Sequence, residues 1–188
     1  MIFQDTALAG LFEVHTDTRT DGRGGFTRLH CERELAEVAP GCRVVQANLS
    51  QTRQRGTLRG LHFQTGDAAD GKLIRCLRGR VFDVAVDLRP TSPTWGQWRS
   101  MELAAGQPCQ VWIPPGFAHG FQTLSDDVEL LYLHTAFHSP GHEAGLRYDD
   151  PRLGITWPLP VTQVSPRDLA WPAMSAMPMP TRDSAEVT

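Results

Sequence analysis

Glycine and proline punctuate this chain throughout, 17 and 14 of its 188 residues, and they cut its apolar segments into short runs. CRVVQANLSQT, KLIRCL, RVFDVAVDL, CQVWI and VELLYLHT are each strand-length and rich in β-branched or aromatic residues. Over 81–88 the alternation is clear: Phe82, Val84, Val86 and Leu88 face one way, and Asp83, Ala85 and Asp87 the other. Gly79, between Arg78 and Arg80, is placed to close a hairpin from KLIRCL into that strand. One short helix is expected, over 32–38. Closely spaced strands with Gly/Pro turns predict an all-β antiparallel sandwich or barrel with few helices.

With 40% hydrophobic and 21% charged residues, the chain has the composition of a single globular domain. A net charge of −3 gives no support for nucleic-acid binding. No apolar run approaches the roughly 18 residues needed to span a bilayer, so no membrane is expected. MIFQDTALAGLFEV has an early Asp5 and no basic segment, unlike a signal peptide. Cys31, Cys42, Cys76 and Cys109 are far apart and form no CxxC pair, which suits reduced thiols in a cytoplasmic protein. Residues 1–170 are expected to form the domain. The Pro/Met-rich segment 171–188 is expected to be a flexible tail.

Chemistry-bearing residues gather in a few blocks. Arg59-Gly60-Leu61-His62-Phe63-Gln64 sets a histidine near an arginine, and Lys72 opens the next strand. A strand histidine is often a rim residue satisfied by one hydrogen bond, but nearby cations in a β-barrel call for an anionic ligand or an ion pair. Asp83 is the candidate ion partner of Lys72. His119 lies in Pro114-Pro115-Gly116-Phe117-Ala118-His119, whose P-x-G-x-x-H spacing resembles the second motif of cupin barrels. A base, a cation and the phenol of Tyr132 are the parts needed to move a proton on carbon next to a ketone. No metal is expected: His62 is followed by Phe63 and Gln64, so the H-x-H pair of a metal cupin is missing. His134, His138 and His142 fit no standard ligand spacing. A nucleophile elbow, a P-loop and a GxGxxG are all lacking. Arg23, on the Gly-rich turn 21–26, joins Arg59 and Arg167 as a candidate diphosphate clamp.

In order along the chain, DGRGGF, QANLS, RGLHFQ, GKLIRCLRGRVFDVAVDLRPTSPTWGQW, VWIPPGFAHGFQTLS, Tyr132, the 140–143 stretch, YDDPRLGITWP and SPRD closely resemble the dTDP-4-dehydrorhamnose 3,5-epimerase family. That resemblance implies a jelly-roll cupin barrel, a homodimer, no cofactor, and a 4-keto-6-deoxyhexose carried on a nucleoside diphosphate. Carried over position by position, it implies His62 as the base and Asp168 as the residue that orients it. Lys72 would stabilise the enolate and Tyr132 would be the proton donor. It implies nucleotide-sugar contacts for Arg23, Phe26, Gln46, Asn48, Arg59, His119, His138, Glu143 and Arg167. Three positions depart from the family pattern: Arg28 replaces a glutamate, His138 a tyrosine that stacks on thymine, and Leu133 a lysine. The rival readings are an epimerase of one carbon only, a non-catalytic sugar-binding cupin, and a metal-dependent oxygenase.

Overall fold

In the computed structural model, which describes residues 1–176, two antiparallel sheets face each other around one core. The six-stranded sheet contains β1 (Ile2–Asp5), β2 (Phe12–His15), β5 (Gln46–Thr52), β7 (Lys72–Arg78), β10 (Cys109–Ile113) and β12 (Val128–His134). Its spatial order is β1-β2-β10-β7-β12-β5. The five-stranded sheet contains β6 (Leu58–Gln64), β8 (Arg80–Asp87), β9 (Trp98–Ala104), β11 (Phe117–Thr123) and β13 (Glu143–Gly145), in the order β13-β6-β11-β8-β9. Strands β3 (Thr18–Asp21) and β4 (Gly24–Thr27) form a separate exposed ribbon. The result is the all-β, cupin-like jelly roll expected. The expected helix is α1 (Glu32–Val38), which buries Leu35. Among the described residues no helix is long and apolar enough to cross a membrane.

The period of two along each strand divides the space between the sheets into an apolar part and a polar part. On β12, Val128 and Leu130 enter the core, and Tyr132 and His134 continue the same face into a cavity. On β7, Cys76 and Ile74 are core and Lys72 is cavity. Val81, Ala85, Phe117 and Phe121 complete the core from the other sheet. Burying a Leu, Val or Phe side chain is worth about 1.5–3 kcal/mol each, so this half of the barrel anchors the polar half.

One expectation about β8 holds and one changes. The alternation over 81–88 is present, but both faces are covered: Val84, Val86 and Leu88 pack under Leu146, Leu153 and Met174, while Asp83 and Asp87 are fully buried on the other side. Gly79 closes no hairpin. β7 pairs with β10 and β12, and β8 pairs with β11 and β9, so Gly79, at φ +74°, is a corner where the chain changes sheets. Residues 171–174, placed in the expected tail, are packed: the Trp171 ring covers Gly145, and Met174 is 2% exposed. Of that expected tail, residues 177–188 lie outside the described residues, and Met174–Ala176 form a single 3-10 turn.

Candidate active site

A cavity of about 890 Å³ opens between the two sheets. His62 reaches it from β6 and His119 from β11, both on the five-stranded sheet. Lys72 and Tyr132 reach it from β7 and β12 on the opposite sheet, beside Gln46 and Asn48 of the edge strand β5. Arg59, His138, Glu143, Arg167 and Asp168 complete the candidates that line it. Arg23 and Phe26 do not. Both stand on the β3–β4 ribbon, where the Arg23 side chain is 91% exposed and pairs with Asp21, and Phe26 is 77% exposed. Arg28 is also off the cavity, its guanidinium held by Glu34 of α1.

His62 Nε2 lies 2.7 Å from Asp168 Oδ1. The aspartate is placed by a one-turn helix, α2 (Pro166–Leu169), whose cap Ser165 accepts a hydrogen bond from the Asp168 amide at 3.0 Å. The S-P-x-D spacing carries that signal in the sequence, with an N-cap serine followed by proline at the first helical position. Asp168 Oδ2 accepts from the Gly60 amide at 3.2 Å. Gly60 has φ +126°, and a Cβ there would lie 2.5 Å from Gly120 Cα, so glycine is required where β6 and β11 approach. Burial alone would push the Asp168 carboxyl up. The hydrogen bond and charge of His62, with the bonds from Gly60 and Ser165, outweigh it and hold the group below its ordinary value. An ionised Asp168 only accepts, so Nε2 of His62 carries the proton and Nδ1 is left as the basic nitrogen. The His62 side chain remains 44% exposed toward the cavity.

The ion partner of Lys72 is Asp70, not Asp83. Lys72 Nζ donates to Asp70 Oδ1 at 3.0 Å, and the second oxygen, Oδ2, is 2.9 Å from His134 Nδ1. Asp83 instead holds His119 Nε2 at 2.8 Å. Sequence alone points to Asp83 because an inward aspartate on the next strand cannot be told from one in the preceding loop without knowing which sheet each strand joins. Asp70 and His134 are site residues that sequence reasoning missed, although the period of two from Tyr132 puts His134 on the same face.

Burial, then the nearby negative charge of Asp83, pushes the Tyr132 phenol well above its ordinary value against the opposing charge of Arg59. The phenol therefore holds its proton at neutral pH. Its ring is flanked by His119 (centroids 5.8 Å, 69°) and His134 (5.8 Å, 11°). At the mouth, Arg167 Nη2 pairs with Glu143 Oε2 at 2.6 Å, and Arg59 is fixed on β5 through Thr52 Oγ1 and the Gln51 carbonyl. The His138 amide donates to Gln46 Oε1 at 3.1 Å. Among the described residues no three His, Cys, Asp or Glu side chains are arranged to hold a metal ion. The arrangement offers a base and an acid from opposing sheets, with a cation on the strand next to the acid's.

Comparison with known proteins gives a consistent picture. A sequence model described as dTDP-4-dehydrorhamnose 3,5-epimerase matches residues 5–176. A dTDP-4-dehydrorhamnose 3,5-epimerase of Sinorhizobium fredii is 43% identical over 180 residues, covering 95% of this chain and 92% of that one. A dTDP-4-dehydrorhamnose 3-epimerase of Streptomyces niveus is 37% identical over 169 residues, covering 89% and 81%. The crystal structure of a dTDP-6-deoxy-D-glucose-3,5-epimerase from Legionella pneumophila, in complex with dTDP-4-keto-L-rhamnose, superimposes with a TM-score of 0.88. It is 38% identical and covers 94% of each chain.

Proposed function

We propose that this chain, which belongs to the dTDP-4-dehydrorhamnose 3,5-epimerase family and is an isomerase, inverts carbons 3 and 5 of dTDP-4-dehydro-6-deoxyglucose by proton transfer. The carbonyl at carbon 4 acidifies the protons on both neighbouring carbons. His62 Nδ1 removes one, held in orientation by Asp168. The electron pair moves onto the carbonyl oxygen, and the Lys72 ammonium stabilises the resulting enolate. Tyr132 then returns a proton to the same carbon from the opposite face. One observation carries this reading: the base and the protonated phenol stand on opposing sheets across one cavity. Inversion, unlike simple exchange, requires that opposition. The carbonyl itself acidifies the substrate, so the reaction as drawn calls on no metal or other cofactor.

Arg59, Arg167, His119, Gln46, Asn48, His138 and Glu143 are the proposed contacts to the nucleotide and sugar. Arg23 and Phe26, carried on the exposed ribbon, serve this role if the protein works as a homodimer, with the ribbon of one copy reaching the cavity of the other. Light scattering would report the dimer, and Arg23→Ala would weaken dTDP binding without touching the exchange chemistry. The similarity to a Streptomyces niveus 3-epimerase supports a second reading, inversion at carbon 3 alone. Incubating the protein with dTDP-4-keto-6-deoxyglucose in deuterated water and following the ring by NMR separates the two. Label and inversion at both carbons support the first reading, and inversion at carbon 3 alone supports the second. No label at either carbon overturns both.

A further inference from the structure

We propose that Asp70 and His134 are positioning residues that hold the Lys72 ammonium and the Tyr132 ring in one fixed arrangement. The inference rests on the role given to Lys72 above. His134 and Lys72 are Cα partners across the β7–β12 ladder, and both side chains meet the same carboxylate, one on each oxygen. Asp70 is 5% exposed and Lys72 is 7% exposed. Burial by itself would raise the Asp70 carboxyl; the hydrogen bond from His134 and the charge and hydrogen bond of Lys72 hold it below its ordinary value. Asp70 is thus an acceptor only, and His134 donates to it through Nδ1.

The second donor matters for the chemistry. A lysine is a point charge on a flexible four-carbon stem, and one hydrogen bond to a carboxylate leaves its direction poorly defined. A carboxylate answering to Lys72 alone would also turn the ammonium inward and neutralise the charge wanted at the enolate oxygen. With His134 taking the other oxygen, the Asp70 carboxylate is fixed in plane and its charge is shared between two donors. Two N–H bonds of Lys72 remain for the substrate. The same imidazole lies parallel to the Tyr132 ring, 5.8 Å away at 11°, so the cation and the proton donor are registered to one another.

The test uses three single variants of the whole chain, with kcat and KM measured for epimerisation of dTDP-4-keto-6-deoxyglucose and folding followed by Tm. His134→Leu removes the donor; kcat should fall roughly 10–100-fold, the usual effect of losing an orienting partner, while KM changes by less than about threefold. His134→Asn keeps an N–H near the position of Nδ1 and should recover most of that loss. A His134→Leu enzyme with kcat within about twofold of wild type overturns the proposal, and so does an Asn variant no better than Leu. Lys72→Ala separates the two layers of argument. Wild-type turnover there removes Lys72 from the reaction and this inference with it, whereas collapse there beside a normal His134→Leu removes only the inference.

Discussion

His62 and His119 are Cα partners across the β6–β11 ladder, and each imidazole is tied through Nε2 to its own aspartate. The likeness ends there. Every oxygen of Asp168 has a partner, and His62 stands 44% exposed to the cavity. Asp83 keeps Oδ1 unpartnered among the described residues, and the His119 side chain is 6% exposed. Accessibility and full support favour His62 as the proposed base, and His119 lines the cavity as an enclosed side chain beside Tyr132.

His62→Asn should fold normally and abolish deuterium entry at both carbons, because among the described residues no other exposed histidine is hydrogen-bonded to a carboxylate; His138 and His15 stand 3.9 and 3.8 Å from theirs. Asp168→Asn should retain a weaker version of the reaction, about 10–100-fold slower. Exchange monitored by NMR decides the first point: more than a few per cent of wild-type exchange in His62→Asn would take the base role away from it.

Tyr132→Phe deletes the proton donor and leaves the base in place. Exchange should therefore outlast inversion, as His62 returns label to the face from which it took the proton. Comparing the two rates in the same sample is sufficient; equal losses would show that the phenol also acts in forming the enolate.

Nucleotide choice should be relaxed. His138, which lines the cavity, departs from the family pattern on the side assigned to the base, and Arg28 is engaged by Glu34 away from the cavity. Changed hydrogen bonds at one base edge are worth about 1–3 kcal/mol, roughly tenfold to a hundredfold. Calorimetric titration with dTDP, UDP, CDP and GDP tests this. A preference for dTDP above about a hundredfold over the other three would make the substitutions neutral.

Acid should destabilise the fold through its buried carboxylates. Asp168, Asp70 and Asp87 each have a folded-state value below the ordinary 3.8, despite burial. A depressed carboxyl contributes stability above its unfolded value and loses it as pH falls through the folded value. The urea midpoint should be flat from neutral pH down to about 5 and fall below about 4, with a shallower fall in Asp168→Asn. An unchanged slope in that variant would mean that Asp168 binds protons alike in the folded and unfolded chain, against a depressed folded value.

The residue order by itself determined the strand-rich architecture, the helix over 32–38, and which blocks hold the candidate residues, because all of these are local. Period and turn signals act over a few residues, and the blocks around His62, Lys72, Tyr132 and Asp168 are contiguous. Partnerships were a matter for the tertiary structure. Whether Lys72 meets Asp70 or Asp83 depends on register and on which sheet each strand joins, and Gly79 sends β7 and β8 to different sheets. The same reason places Arg23 and Phe26 off the cavity on a ribbon of their own and brings Trp171 back over Gly145. Residue order describes a residue's neighbours along the chain, and a buried charge is answered by its neighbours in space.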